Sequence, residues 1–150
     1  MRMRRLLLPL PLLVALGLPV AAHAAVSIAG GGFAQSDPSS AGAAAIVSSG
    51  ASIPAVPLEV QGSLLIPFTK AGGFAATAEI RGFTGGGYGG AYVGAGAGVG
   101  TLSSDRSSAA VLTAFAGKSI APQTSIEIRL YKQLENTGAT AGFIGVRFSF

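Results

Sequence analysis

The chain has 150 residues, 49% of them hydrophobic and only 11% charged, with ten Lys and Arg, six Asp and Glu, one His and no Cys. The lack of Cys excludes disulfide frameworks and thiol chemistry, and the length points to a single domain. So few charges, against ~25% in a typical soluble domain, imply that much of the surface of so small a protein is not built to face water.

In chain order the first element is a secretory signal peptide. Arg2, Arg4 and Arg5 precede an apolar stretch over 6–22, and Ala22-His23-Ala24 is a small-x-small cleavage site. A membrane-spanning anchor is the competing reading. The stretch is shorter than the ~20 residues a spanning helix needs, and Pro9, Pro11 and Pro19 would interrupt such a helix. Cleavage after Ala24 divides the chain into a leader, 1–24, and a mature domain, 25–150. The net charge of +4 mostly belongs to the leader, because seven basic residues remain against six acidic ones. No basic patch survives to suggest nucleic acid.

The mature domain is a series of alternating runs separated by turn residues. Segments 26–34 and 42–50 alternate weakly. In 56–67 the even positions include Val56, Leu58, Val60, Leu64 and Ile66, while Glu59, Gln61 and Ser63 are odd. In 73–83, Phe74, Ala76, Ala78 and Ile80 oppose Thr77, Glu79 and Arg81. In 88–100, Val93, Ala95 and Ala97 interleave with Gly94, Gly96 and Gly98. Segment 108–118 is compatible with a short helix as well as a strand, since Ala110, Leu112 and Phe115 fit neither period. In 123–135, Ile126, Ile128, Leu130 and Leu134 oppose Ser125, Glu127, Arg129, Tyr131 and Gln133. The last segment, 139–150, carries Ile144, Val146, Phe148 and Phe150 on one face and Gly145, Arg147 and Ser149 on the other.

That last strand, with Val146, Phe148 and Phe150 in step, resembles the C-terminal signature strand of bacterial outer-membrane β-barrels. The glycine-alternating run 92–100 is similar to strands of small barrels such as the membrane domain of outer-membrane protein A. The resemblance implies an all-β, antiparallel, up-and-down transmembrane barrel of eight strands in the outer membrane of a Gram-negative-type bacterium. It also implies recognition of the closing strand by the barrel-assembly machinery. Eight alternating segments of about the length a membrane strand needs agree with that count. A soluble all-β sandwich acting as a periplasmic or secreted binding module needs one apolar face per strand as well, and is the first alternative. A Gly/Ala-rich surface protein that self-assembles through its strands is the second.

The polar faces favour the barrel, because Glu59, Glu79 and Glu127 there meet Arg81, Arg129 and Arg147 with no Lys among them. Arg suits enclosed ion pairs, its planar fork matching a carboxylate. These six residues are expected to form a charge network closing the lumen. A fold-back about Lys70 sets Glu59 against Arg81. A last hairpin centred on Thr137 sets Glu127 against Arg147, Tyr131 against Phe143, Ile128 against Val146 and Leu130 against Ile144. Inward Gly94, Gly96 and Gly98 are expected to make room for Tyr131, Phe143 and the Arg stems.

Gly85 to Gly90 fits G-x-G-x-x-G literally, but a strand-like run follows it, so the helix a phosphate cradle needs is missing. The single His lies in the leader, which removes His-based triads and metal sites from the mature domain. Asp37 and Asp105 lie in different loops and form no catalytic pair. No enzyme activity, cofactor or metal is expected. A barrel of eight strands is filled by its own side chains and has no wide pore, which leaves a structural or surface-interaction role. Asp105-Arg106 reads as a solvated loop tip. Lys132 interrupts the apolar face near a rim, where it can meet lipopolysaccharide phosphates. The expected partners are therefore outer-membrane lipid, lipopolysaccharide and the assembly machinery, around a monomeric barrel.

Overall fold

The alternation organises eight strands: β1 (Ala25–Ser36), β2 (Ser39–Ser52), β3 (Leu58–Phe68), β4 (Phe74–Thr84), β5 (Ala91–Thr101), β6 (Ala109–Ala121), β7 (Thr124–Gln133) and β8 (Thr140–Ser149). The structure is a computed structural model describing residues 25–85, 90–103, 107–134 and 138–150. The expected leader with Ala22 and Ala24, the Asp105-Arg106 tip, and Thr137 lie outside these residues. Each strand pairs antiparallel with the next, and β8 pairs back onto β1, so the sheet is a closed barrel. The sandwich alternative is thereby overturned. Closure also leaves no free strand edge among the described residues, which removes the edge-to-edge route to self-assembly.

Tilt follows from the register. Stepping across the strands from Ala25 passes Gly50, Gln61, Glu79, Gly96, Thr113, Tyr131 and Ala141, and returns to β1 at Gln35. The sheet therefore closes with a shift of ten residues, which for strands about 4.8 Å apart corresponds to a tilt of about 40°. Strands of 10 to 14 residues at that tilt rise about 25 Å or more, the height of a lipid-facing band. Ala25 and Ser149 lie at one end, the terminal end. The turns 37–38, 69–73, 102–108 and 134–139 lie at the other, the loop end.

Two expectations are corrected. Segment 108–118 is a strand, part of β6, with Val111, Thr113 and Phe115 buried inward and Leu112 outward. It fitted neither period because an aromatic points into the lumen. The last hairpin is displaced by two residues: Glu127 faces Gly145, Ser125 faces Arg147, Tyr131 faces Ala141, Ile128 faces Ile144 and Leu130 faces Gly142. An even displacement leaves every side chain on its expected face. The fold-back about Lys70 places Glu59 opposite Arg81 as expected.

The register of the closing hairpin is open to direct test, since the chain has no Cys. Ile126→Cys with Val146→Cys, facing partners whose Cα atoms would lie ~4.5–5.5 Å apart, should oxidise to a disulfide. Ile128→Cys with Val146→Cys should stay reduced. The reverse pattern would restore the register centred on Thr137.

Candidate functional site: the lumen and the outer face

The inward side chains are sorted by height. Toward the loop end they are mainly apolar, with Gln35, Thr113 and Gln133 among them: Phe33, Ala44, Ile46, Leu65, Val111 and Phe143 form one buried cluster with Leu102, which folds in from the β5–β6 connection. The Leu102 amide donates to Gln133 Oε1 at 3.1 Å, holding that connection over the mouth. Toward the terminal end the interior is polar, and it holds all six residues expected to form the charge network.

Four of those six, with Gln61, close into a ring. Arg129 donates through Nη1 to Glu79 at 2.7 Å and through Nε to Glu127 at 2.5 Å. Arg147 donates from Nη1 to Glu127 at 3.2 Å and from Nη2 to Gln61 Oε1 at 2.9 Å. The Gln61 amide donates to Glu79 Oε2 at 2.5 Å and completes the circuit. Gln61 and Glu79 stand on β3 and β4, and the other three on β7 and β8, so the ring spans the lumen between walls that are not neighbours. Glu79 also accepts from Ser63 at 2.9 Å and Thr77 at 2.7 Å, and Glu127 accepts from the Tyr92 hydroxyl at 2.8 Å. Such saturation offsets the cost of taking these carboxylates away from water. Glu59 and Arg81 form a separate bridge of 2.6 Å nearer the terminal end.

Aromatic rings line the charges. The Arg129 guanidinium lies 4.3 Å from the Phe115 ring centre, and Arg81 lies 4.9 Å and 5.0 Å from Phe83 and Tyr92, within cation–π range. The inward glycines admit these rings, though not those expected. A Cβ at Gly94 would run into Phe115, one at Gly117 into Tyr92, and one at Gly96 into the β4 backbone and Glu79. Tyr131 and Phe143 occupy the apolar cluster instead, and the Phe143 ring lies over Gly145. The displaced register thus puts a glycine opposite Glu127, and Arg147 reaches it diagonally. Sequence reasoning missed Gln61, Tyr92 and Phe115 as members of the site. The first two were legible as inward by parity, but nothing local links them to a partner 86 or 35 residues away.

The outer face is apolar. Ile80, Val93, Leu130 and Ile144 are each more than half exposed, as side chains meeting lipid must be. Phe68 and Phe74 mark the loop-end rim; Val146 and Phe148 point outward on β8 near the terminal end, and Phe150, exposed, follows the strand. Lys132 is exposed, and its Nζ donates to Gly138 O at 2.8 Å and Thr140 Oγ1 at 3.3 Å. Among the described residues no cluster of His, Asp and Glu could hold a metal ion.

An apolar outer band, a filled lumen and eight strands closed with this shear define the fold of the small outer-membrane β-barrels. No family model matches the chain, and no curated protein does. Solved structures do. Neisserial surface protein A is 17% identical with a TM-score of 0.62, over 85% of this chain and 97% of that one. The N-terminal β-barrel domain of Pseudomonas aeruginosa OprF is 19% identical with a TM-score of 0.58, over 84% and 97%. Ail, the attachment invasion locus protein of Yersinia pestis, is 15% identical with a TM-score of 0.58, over 85% and 99%. All three are similar in fold.

Arg129→Met leaves two buried carboxylates without their shared cation. The expected loss is about 3–5 kcal/mol of stability, read as a fall in the midpoint of thermal unfolding in detergent. Adding Glu79→Gln and Glu127→Gln should recover part of it. Absence of recovery would mean that Arg129 stabilises the barrel by packing on Phe115 rather than by charge.

Proposed function

We propose that this chain is a structural protein of the outer membrane, exported by residues 1–24 and neither an enzyme nor a pore. The observation that carries this reading is the inversion of the molecule: charges sit in the lumen while Ile, Val, Leu and Phe face outward. In water such a surface would drive aggregation; in a bilayer it is the expected exterior. Lipid is therefore the principal partner. The outward Val146 and Phe148 of β8, followed by the exposed Phe150, offer the assembly machinery an apolar strand to recognise.

A structural role is favoured over surface adhesion because the loop-end connections are short, Asp37-Pro38 and 69–73 among them. Leu102, Ala71 and Ala139 are buried there rather than displayed. Permeation is opposed by the apolar cluster, which offers an ion nothing to replace its hydration shell. Against catalysis stand the lack of His after residue 23 and the bonding of the three inward Glu residues to Arg.

Electrophoresis of the membrane-extracted protein with and without boiling tests the reading. The protein should fractionate with the outer membrane, run as a compact shifted band unboiled, and produce no stepwise conductance in planar bilayers. Soluble protein with no heat-dependent shift would overturn it.

A further inference from the structure

The lipid-facing wall is not uniform. On the loop-end half of β1, β2 and β8 the outward residues are small, and Gly32, Ala34, Ala41 and Gly142 form the floor of a hollow of about 460 Å³. Leu130 and Ile144 wall it on the β7 side. A space of this size matches the pockets that hold small ligands, yet its lining is hydrocarbon. Lys132 stands two residues beyond Leu130 on the same face of β7, above that wall. Lys70 lies in the 69–73 turn beyond Phe68, at the same end of the barrel.

Charge is distributed to match. Among the described residues every Arg and every Glu is in the lumen, and the charges outside it are Lys70, Lys118, Lys132 and Asp37. One of those three cations, Lys132, stands above the wall of the hollow, while Asp37 and Lys70 lie in the 37–38 and 69–73 turns at the same end. The Lys132 ammonium has three donors, two of which go to Gly138 and Thr140. The third is held in a fixed position at the rim. The longest connection between strands, 102–108, is at the loop end, and the outer side of such barrels carries the longer loops.

We propose that this groove seats one acyl chain of lipopolysaccharide, with a phosphate of the same molecule at Lys132. The inference rests on the outer-membrane reading above and adds a specific lipid and a specific place for it. Within a bilayer there is no hydrophobic gain in moving a chain from lipid to protein, so the seat works through close packing against small residues. The ammonium selects an anionic headgroup.

Native mass spectrometry of the barrel in neutral detergent tests this, with rough lipopolysaccharide or phosphatidylglycerol added at equal concentration. The wild-type barrel should retain one lipopolysaccharide under washing that strips phosphatidylglycerol. Gly32→Leu with Gly142→Leu fills the groove. There is room for both, since Cβ atoms there lie 4.0 Å from Ile144 and 3.9 Å from Leu130. This variant should lose the retained lipid, and Lys132→Gln should weaken retention about fivefold. Gly32→Ala with Gly142→Ala gives the same reading if the leucines prevent assembly. Equal retention of the two lipids, or undiminished retention in the filled groove, overturns the proposal. So does a wild-type dimer that the filled groove dissolves, which would assign the site to a second copy. The heat-dependent shift of the lipid-free barrel is scored first, and its absence would sink the membrane reading rather than the groove.

Discussion

Arg129 holds two carboxylates from different strands, and the circuit that begins there constrains the rest of the lumen. An eight-stranded barrel is just wide enough for side chains to fill, so one that enters from one wall must meet a cavity or a partner on another. Glu79 and Glu127 could not both be buried without a cation between them. A guanidinium answers that need, presenting separate donors to each at 2.7 Å and 2.5 Å. An ammonium is a point charge and cannot bridge two walls in this way. The aromatic rings against Arg81 and Arg129, and the glycines that admit them, follow from holding planar cations in so narrow a space.

The same chemistry accounts for the division, among the described residues, of cations between Arg within and Lys outside. Lysine's long stem carries its charge to the polar rim while the methylenes stay in contact with apolar surface. Lys70 and Lys132 at the loop end and Lys118 near the other rim fit that use. Among the described residues the charges thus form two systems that do not mix: a neutral, internally paired one in the lumen, and three Lys with Asp37 outside it.

Much of this was legible in the sequence where the two faces differ in kind. In β3, β4, β7 and β8, aliphatic residues alternate with charged ones, and both the faces and the Glu59–Arg81 pairing could be read directly. Reading faltered in β1, β2 and β6, where Gly, Ala and Ser occupy both faces and where Phe33, Ile46 and Phe115 point inward. Half the lumen is itself apolar, so an inward aromatic there looks no different from an outward one. The two-residue displacement of the last hairpin was hidden for another reason. Parity fixes the face but not the pairing, and the loop that sets the pairing has no tight-turn signature to centre it. Contacts across the lumen, such as Arg147 with Gln61, depend on the shear of the whole barrel. No local pattern encodes that.

The ring joins β3 and β4 to β7 and β8, strands that become opposite walls only once β8 has found β1. Until then the contacts of Arg129 with Glu79 and of Arg147 with Gln61 are unmade, and Glu79 lacks its cation where an uncompensated charge costs several kcal/mol. Partial barrels are therefore disfavoured from within as well as by their open edges. Membrane entry and closure become one cooperative event, and the same coupling makes the finished barrel come apart as a unit rather than strand by strand.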